Sequence, residues 1–209
     1  MSTLTGLAPD PRQPDYRLVE VDRGRFASLP VDALQPLGLT VGMELEAVML
    51  DRLRALADIE AALRAALRAL ARRAHARGDL ERRLVKKQHP PRAVDAALER
   101  LAERGLLDDR RFAERYAALR AVRGRGPARL IRDLLAQGVE RRTAEAAVRH
   151  ALDDEGIDPG VEARAVAVRR VSQLGGLPGR VRKRRLLAFL IRRGYDGAQV
   201  KDLVQELCS

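Results

Sequence analysis

One pattern of apolar residues occurs three times in the last two thirds of this chain. Leu80, Leu84, His89, Val94 and Leu98 are followed 50 residues on by Leu130, Leu134, Val139, Ala144 and Val148. A further 56 residues on stand Leu186, Leu190, Tyr195, Val200 and Val204. Apolar residues four apart on either side of a short gap read as a helix, a turn and a second helix. Gly138 and Gly194 occupy the turn in the second and third copies, and Gln88 stands there in the first. A period of this length favours modules stacked in series over a globule closed around one cleft. The expected fold is mainly α: an elongated tandem array of three three-helix modules with a small N-terminal β-hairpin extension. The expected bounds are 1–15 disordered, 16–57 extension, and 58–108, 109–158 and 159–209 for the modules.

Local signals fill in this plan. The Pro- and Asp-rich start lacks periodicity, whereas 16–21 alternates, and Asp22-Arg-Gly-Arg25 supplies a turn in which Gly24 is expected to take a positive φ. Pro30 can open a short helix through Leu37. The helical pattern begins at Met43, with a break expected near Ala57 and Asp58 as the cap of the next segment. Asp108 and Asp109 stand where a helix N-terminus needs acceptors, and Pro127 fits a first helical turn. Phe112, Tyr116 and Leu119 fall at i, i+4 and i+7 and are expected to line the core of the second module, as Phe189 does in the third.

Charge is distributed unevenly. Residues 1–60 hold 6 Lys/Arg against 10 Asp/Glu, whereas residues 61–209 hold 34 against 19. Coding bias toward arginine is the alternative account of why only 4 of the 40 basic residues are Lys, and it fits the change of sign along the chain less well. A basic helical body points to a polyanionic partner, with nucleic acid the first candidate. The strongest stretches are Arg120, Arg123, Arg125, Arg129 and Arg132 in the middle module, and Arg180, Arg182, Lys183, Arg184, Arg185, Arg192 and Arg193 in the last. A more diffuse set is Arg72, Arg73, Arg77, Arg82, Arg83, Lys86 and Lys87. Any one such stretch can be a solvated helix face; three together argue for backbone-phosphate contact without sequence specificity.

Catalytic signals are weak. His75, His89 and His150 are scattered, lack metal-ligand spacing and read as surface or helix-end residues. Gly124-Arg-Gly126 lacks the frame of a nucleotide-binding loop. No catalytic, cofactor or metal site is expected. The lone Cys208 excludes a disulfide framework, no apolar run reaches membrane-spanning length, and the N-terminus lacks the charged and apolar regions of a secretory signal. The chain reads as a cytoplasmic monomer.

The segment Gly105-Leu-Leu-Asp-Asp-Arg-Arg-Phe-Ala-Glu-Arg-Tyr116, followed by Arg123-Gly-Arg-Gly-Pro-Ala-Arg-Leu-Ile131, Leu134 and Gly138-Val139, resembles the RecX regulatory family. Arg192-Arg-Gly-Tyr195 resembles that family's third-module turn, and the likeness covers residues 60–207. Gln88 departs from the expected turn glycine, as does the loop 173–179 from the family pattern. The resemblance implies a tandem three-helix array that binds the RecA recombinase filament and inhibits its activities, with affinity for single- and double-stranded DNA. The other reading of the basic body is a general DNA-binding or architectural protein acting without RecA.

Overall fold

The computed structural model describes residues 2–208. Its described residues divide into two compact units, one formed by residues 2–73 and 80–106 and the other by residues 74–79 and 107–208.

In the first unit, strands β1 (Ser2–Asp10), β2 (Gln13–Val21), β3 (Gly24–Pro30) and β4 (Glu44–Leu45) form an antiparallel sheet in the order β3-β2-β1-β4. The expected hairpin is β2–β3, but Gly24 is not its positive-φ residue. Val21 pairs with Gly24, so the two-residue turn is Asp22-Arg23, at φ 52° and 65°. Asp22 accepts the Thr3 N–H at 2.8 Å and the Thr5 hydroxyl accepts the Arg23 N–H at 2.8 Å, so β1 holds this turn in place. The disorder expected for residues 1–15 is therefore corrected. Composition masked a strand whose Leu4 is fully buried with Val19, Leu29, Leu34, Leu45 and Leu53. Backbone pairing and that apolar contact together outweigh the ordering cost that Pro and Asp signal locally.

Helix α1 (Val31–Leu34) continues as a 3-10 turn to Leu37. Helix α2 then runs unbroken over Ala47–Leu70, so the break expected at 57–58 is absent. No Gly or Pro interrupts the segment, and Asp58 in the interior of an Ala- and Leu-rich run costs too little to stop propagation. Helices α3 (Arg77–Lys86) and α4 (Pro91–Glu103) complete the first three-helix module. Its interior is Ala62, Leu63, Ala66, Leu80, Leu84, Val94, Leu98 and Leu101. The N-terminal sheet is tied to these helices by a polar contact no periodicity announces. Glu60 of α2, 2% exposed, accepts the Tyr16 hydroxyl at 3.0 Å and the Arg100 guanidinium at 2.7 Å.

The second unit holds α5 (Asp109–Ala121), α6 (Pro127–Ala136) and α7 (Arg141–Asp154), then α8 (Pro159–Ser172), α9 (Gly179–Arg193) and α10 (Ala198–Cys208). Each triplet has its own core. Ala113, Ala117 and Ala121 form the buried stripe of α5, whereas Leu119 is 58% exposed and Phe112 and Tyr116 are half-buried at the edge. The expectation that Leu119 lines the core is thus overturned. The small alanines let α5 and α7 approach closely, which turns the larger side chains outward. His75 is likewise not a surface residue: it is buried, with Nδ1 2.6 Å from Asp79.

The repeat itself holds at the level of backbone hydrogen bonds. His89, Val139 and Tyr195 donate to the carbonyls of Leu84, Leu134 and Leu190 at 3.0–3.2 Å, and Gln88, Gly138 and Gly194 donate to Val85, Leu135 and Ile191. All three turn residues are left-handed, at φ 67°, 87° and 93°. These are Schellman closures, which call for glycine at the left-handed position.

Candidate nucleic-acid interface

The two turn glycines of the second unit do more than reverse the chain. Gly126 donates to the Arg193 carbonyl at 2.8 Å and Ala128 to the Gly194 carbonyl at 3.2 Å, so the turn after α9 is seated on the N-terminus of α6. A methyl at Gly126 would collide with the Gly194 carbonyl and with Tyr195, and one at Gly194 with Arg129. Gly138, in the turn after α6, meets Gly78 in the same way, a methyl at Gly78 falling 2.9 Å from its Cα. Turn-on-helix seating is therefore used twice. Gln88, in the corresponding turn after α3, is exposed, which is why a side chain is tolerated there.

This seating decides where the arginines of the two basic stretches fall. Arg129 packs its Cβ against Gly194, Arg132 reaches the Ile191 carbonyl at 3.5 Å, and Arg193 reaches the Gly124 carbonyl at 3.4 Å. Arg125 and Arg129 share one carboxylate, Asp133, at 2.7 and 2.8 Å. Tyr116 also donates its hydroxyl to Asp133 at 3.2 Å, and the Arg120 guanidinium lies 3.8 Å from the Tyr116 ring centroid. Burial, then the charge of Asp133, pushes the Tyr116 hydroxyl above its ordinary pKa. Two guanidiniums on one carboxylate leave a net positive charge, but these arginines are positioned by the protein rather than unengaged. Carbonyl contacts at Arg132 and Arg193 neutralise nothing.

Helix α9 carries the second stretch. Between Gly179 and Arg193 it holds seven basic residues and no acidic one. Arg182 donates to the Cys208 carbonyl at 3.2 Å and Lys183 to Gln205 at 2.8 Å, both on α10. Arg180, Arg184, Arg185 and Arg192 are exposed, as is Arg123 beside the seating, and none of these forms an ion pair among the described residues. Arg180 and Arg182, in the first turn of α9, oppose the helix macrodipole, each at roughly 0.3–1 kcal/mol. An anion bound there would reverse that sign. The diffuse set of residues 72–87 is divided between the two compact units and does not form one described site.

Several features escape sequence reasoning. Asp133 looks like an ordinary helix-surface carboxylate until the fold places Arg125, Arg129 and Tyr116 around it. Arg169 and Arg170 of α8 are the last-turn cations of a helix, yet Arg170 and Arg193 approach the Phe189 ring from 5.1 and 5.3 Å. Tyr195, in its turn, is buried, and burial first, with Glu162 second, pushes its hydroxyl up to about 12. Asp108 does cap α5, accepting the Arg111 N–H at 2.9 Å, while Asp109 accepts the Arg77 N–H at 2.7 Å. Among the described residues no cluster of His, Cys, Asp or Glu could hold a metal, and no helix is long and apolar enough to cross a membrane.

Comparison with known proteins places this architecture. Models of the first, second and third three-helix domains of RecX match residues 62–101, 108–148 and 162–204. The regulatory protein RecX of Halorhodospira halophila is 42% identical over 143 residues, covering 68% of this chain and 85% of that protein. The regulatory protein RecX of Ectopseudomonas mendocina is 40% identical over 134 residues, covering 64% and 85%. A crystal structure of a regulatory protein RecX superposes with a TM-score of 0.73 at 17% identity, covering 99% of this chain and 100% of that one. RecX from Lactobacillus salivarius superposes with 0.59 at 20% identity, covering 72% and 96%. Three domain models in register with the three helical modules, and relatives matched over most of their length, show that this chain belongs to the RecX family of regulatory proteins.

Proposed function

We propose that this chain regulates recombination by binding the RecA–DNA filament and inhibiting RecA ATPase and strand-exchange activity, with non-specific affinity for single- and double-stranded DNA. The observation that carries this reading is helix α9, with seven cations and no internal carboxylate, meeting Arg132 at the Gly126–Gly194 seating. Phosphates are the expected ligands of Arg123, Arg180, Arg184, Arg185 and Arg192, with Arg120, Arg125, Arg129, Arg132, Arg182, Lys183 and Arg193 shaping the surface and adding charge. Base-specific contact is not expected, since Phe112, Tyr116 and Phe189 are engaged in packing and Tyr195 is buried. The protein acts as a monomer in the cytoplasm, without a cofactor or a catalytic step of its own. Contact with successive RecA protomers would hold them against the rearrangements that ATP turnover requires.

The test is to add the purified chain to RecA, single-stranded DNA and ATP and follow hydrolysis. Inhibition at concentrations below those that saturate naked DNA supports filament recognition. Tight DNA binding with unchanged hydrolysis favours a general DNA-binding protein acting independently of RecA. A filament contact dominated by protein surfaces also loses less affinity between 50 and 200 mM salt than naked-DNA binding, for which each phosphate contributes about 0.7–0.9 to the salt slope. Equal slopes would argue against the filament model.

A further inference from the structure

The second and third modules treat the same position in opposite ways. Position 133 of α6 corresponds to position 189 of α9 by the 56-residue repeat, and Arg120 of α5 to Arg170 of α8 by a 50-residue one, consistent with Asp108 and Asp158 capping the two helices. In the second module Asp133 gathers Arg125 and Arg129 and the Tyr116 hydroxyl, so the cluster carries its own anion. In the third module Phe189 stands in place of Asp133. Arg170 and Arg193 approach its ring, and with Arg169, Gln173 and Val166 they line a cavity of about 400 Å³. Three guanidiniums thus surround one cavity with no acidic residue in its lining. Glu162, outside the lining, pairs with Arg169 at 3.8 Å, so Arg170 and Arg193 are the two cations of the cavity that form no ion pair among the described residues. Arg170 gives one nitrogen to Gln173 at 2.8 Å, while its Nε is buried and has no hydrogen-bond partner.

We propose that this cavity is a phosphate subsite, taking one backbone phosphodiester of a DNA strand in the place that Asp133 fills in the second module. The proposal rests on the DNA-binding reading above and assigns it Arg169 and Arg170, which sequence reasoning did not select. Turning the Arg170 guanidinium so that its Nε–Nη2 edge faces the cavity would satisfy the covered N–H and grip two phosphate oxygens, the fork geometry that distinguishes Arg from Lys. The phosphodiester carries one negative charge, which Arg170 balances; Arg193 and the Glu162-paired Arg169 would add positive potential around it. Phe189 and Val166 offer an apolar wall to the adjoining sugar.

Two measurements test it. In the first, fluorescence anisotropy follows binding of labelled 20-residue oligothymidylate from 50 to 300 mM NaCl. R170K keeps the charge and loses the fork, and is expected to weaken binding roughly tenfold; R169A/R170A should also reduce the salt slope by about 0.7, one single-strand phosphate. R170K binding as the wild type does, or R169A/R170A with an unchanged slope, overturns the subsite while leaving general DNA binding intact. In the second, the arginine Nε–H signals are followed by NMR during titration of the full chain with inorganic phosphate, and separately with acetate at equal ionic strength. A shift of Arg170 with phosphate and not with acetate supports the subsite. No shift, or an equal shift with acetate, overturns it. If the wild type fails to bind the oligonucleotide at all, the DNA-binding reading fails, and the NMR titration alone judges the cavity.

Discussion

Gly126→Ala isolates the seating of the α9 turn on α6. The backbone of Gly126 is at φ −70° and ψ 159°, which alanine adopts without strain, so any penalty comes from the space its methyl must occupy. That space is filled by backbone, the carbonyl group of Gly194, together with the ring of Tyr195. Backbone held by its own Schellman closure cannot step aside as a flexible side chain would. Overpacking of this kind costs about 1–3 kcal/mol. If the seating opens instead, the hydrogen bonds from Gly126 and Ala128, at 2.8 and 3.2 Å, are lost, at about 1 kcal/mol each. The two routes together bracket roughly 1–3 kcal/mol, which for a chain of this size lowers the midpoint of thermal unfolding by about 2–12 °C. Gly179→Ala is the matched control, because a methyl there meets nothing within 4 Å and the residue begins a helix. It should be neutral or stabilising by up to about 1 kcal/mol. Circular dichroism during thermal and urea unfolding reads both variants. Gly126→Ala unfolding within about 0.5 kcal/mol of the control, the scale of ordinary surface substitutions, would refute the claim that the turn is seated on α6 through backbone contact.

Gln88 sits at φ 67° in an exposed turn, so Gln88→Gly should stabilise by about 0.5–1 kcal/mol in urea unfolding, the relief of left-handed strain less glycine's added chain entropy. Glu60→Ala leaves Arg100 and the Tyr16 hydroxyl without their acceptor. Because Arg100 keeps some access to water, the cost should lie near 2 kcal/mol, below that of breaking a fully buried pair, as measured by the same denaturation. Tyr195 ionises at about 12 in the folded chain and near 10 unfolded. Unfolding therefore releases its proton between pH 10 and 12, and stability present below pH 10 is lost as pH rises through that window. Tyr195→Phe should lack this component, so its stability relative to the wild type should rise steadily above pH 10; parallel pH profiles would contradict the assignment.

The helical modules were legible because their signals are local. A stripe of Leu80 and Leu84, or of Leu186 and Leu190, repeats at the helical period whatever surrounds it, and Asp108, Pro127 and Gly138 act within a few residues of their own backbone. The strand at residues 2–10 was missed for the opposite reason. Its stability comes from partners far along the chain, Val19 to Val21 and Met43 among them, and its own composition argues against order. Leu119 was misplaced because period alone names a face of α5, and the approach of α7 selects the alanine face instead.

The candidate site divides along the same line. Charge totals and the spacing of arginines already marked the body as strongly basic, the ground for proposing a polyanionic partner, because net charge is a property of composition and survives any fold. Which guanidiniums are held and which are open was settled by packing. Asp133 engages Arg125 and Arg129, the seated turn of α9 brings Arg193 beside Gly124, and Phe189 leaves Arg170 without a carboxylate. Arg129 reaches Asp133 along one turn of α6, but Arg125 stands 8 positions from Asp133 and Arg193 stands 69 from Gly124, and those separations of a few ångströms exist only once the chain has packed.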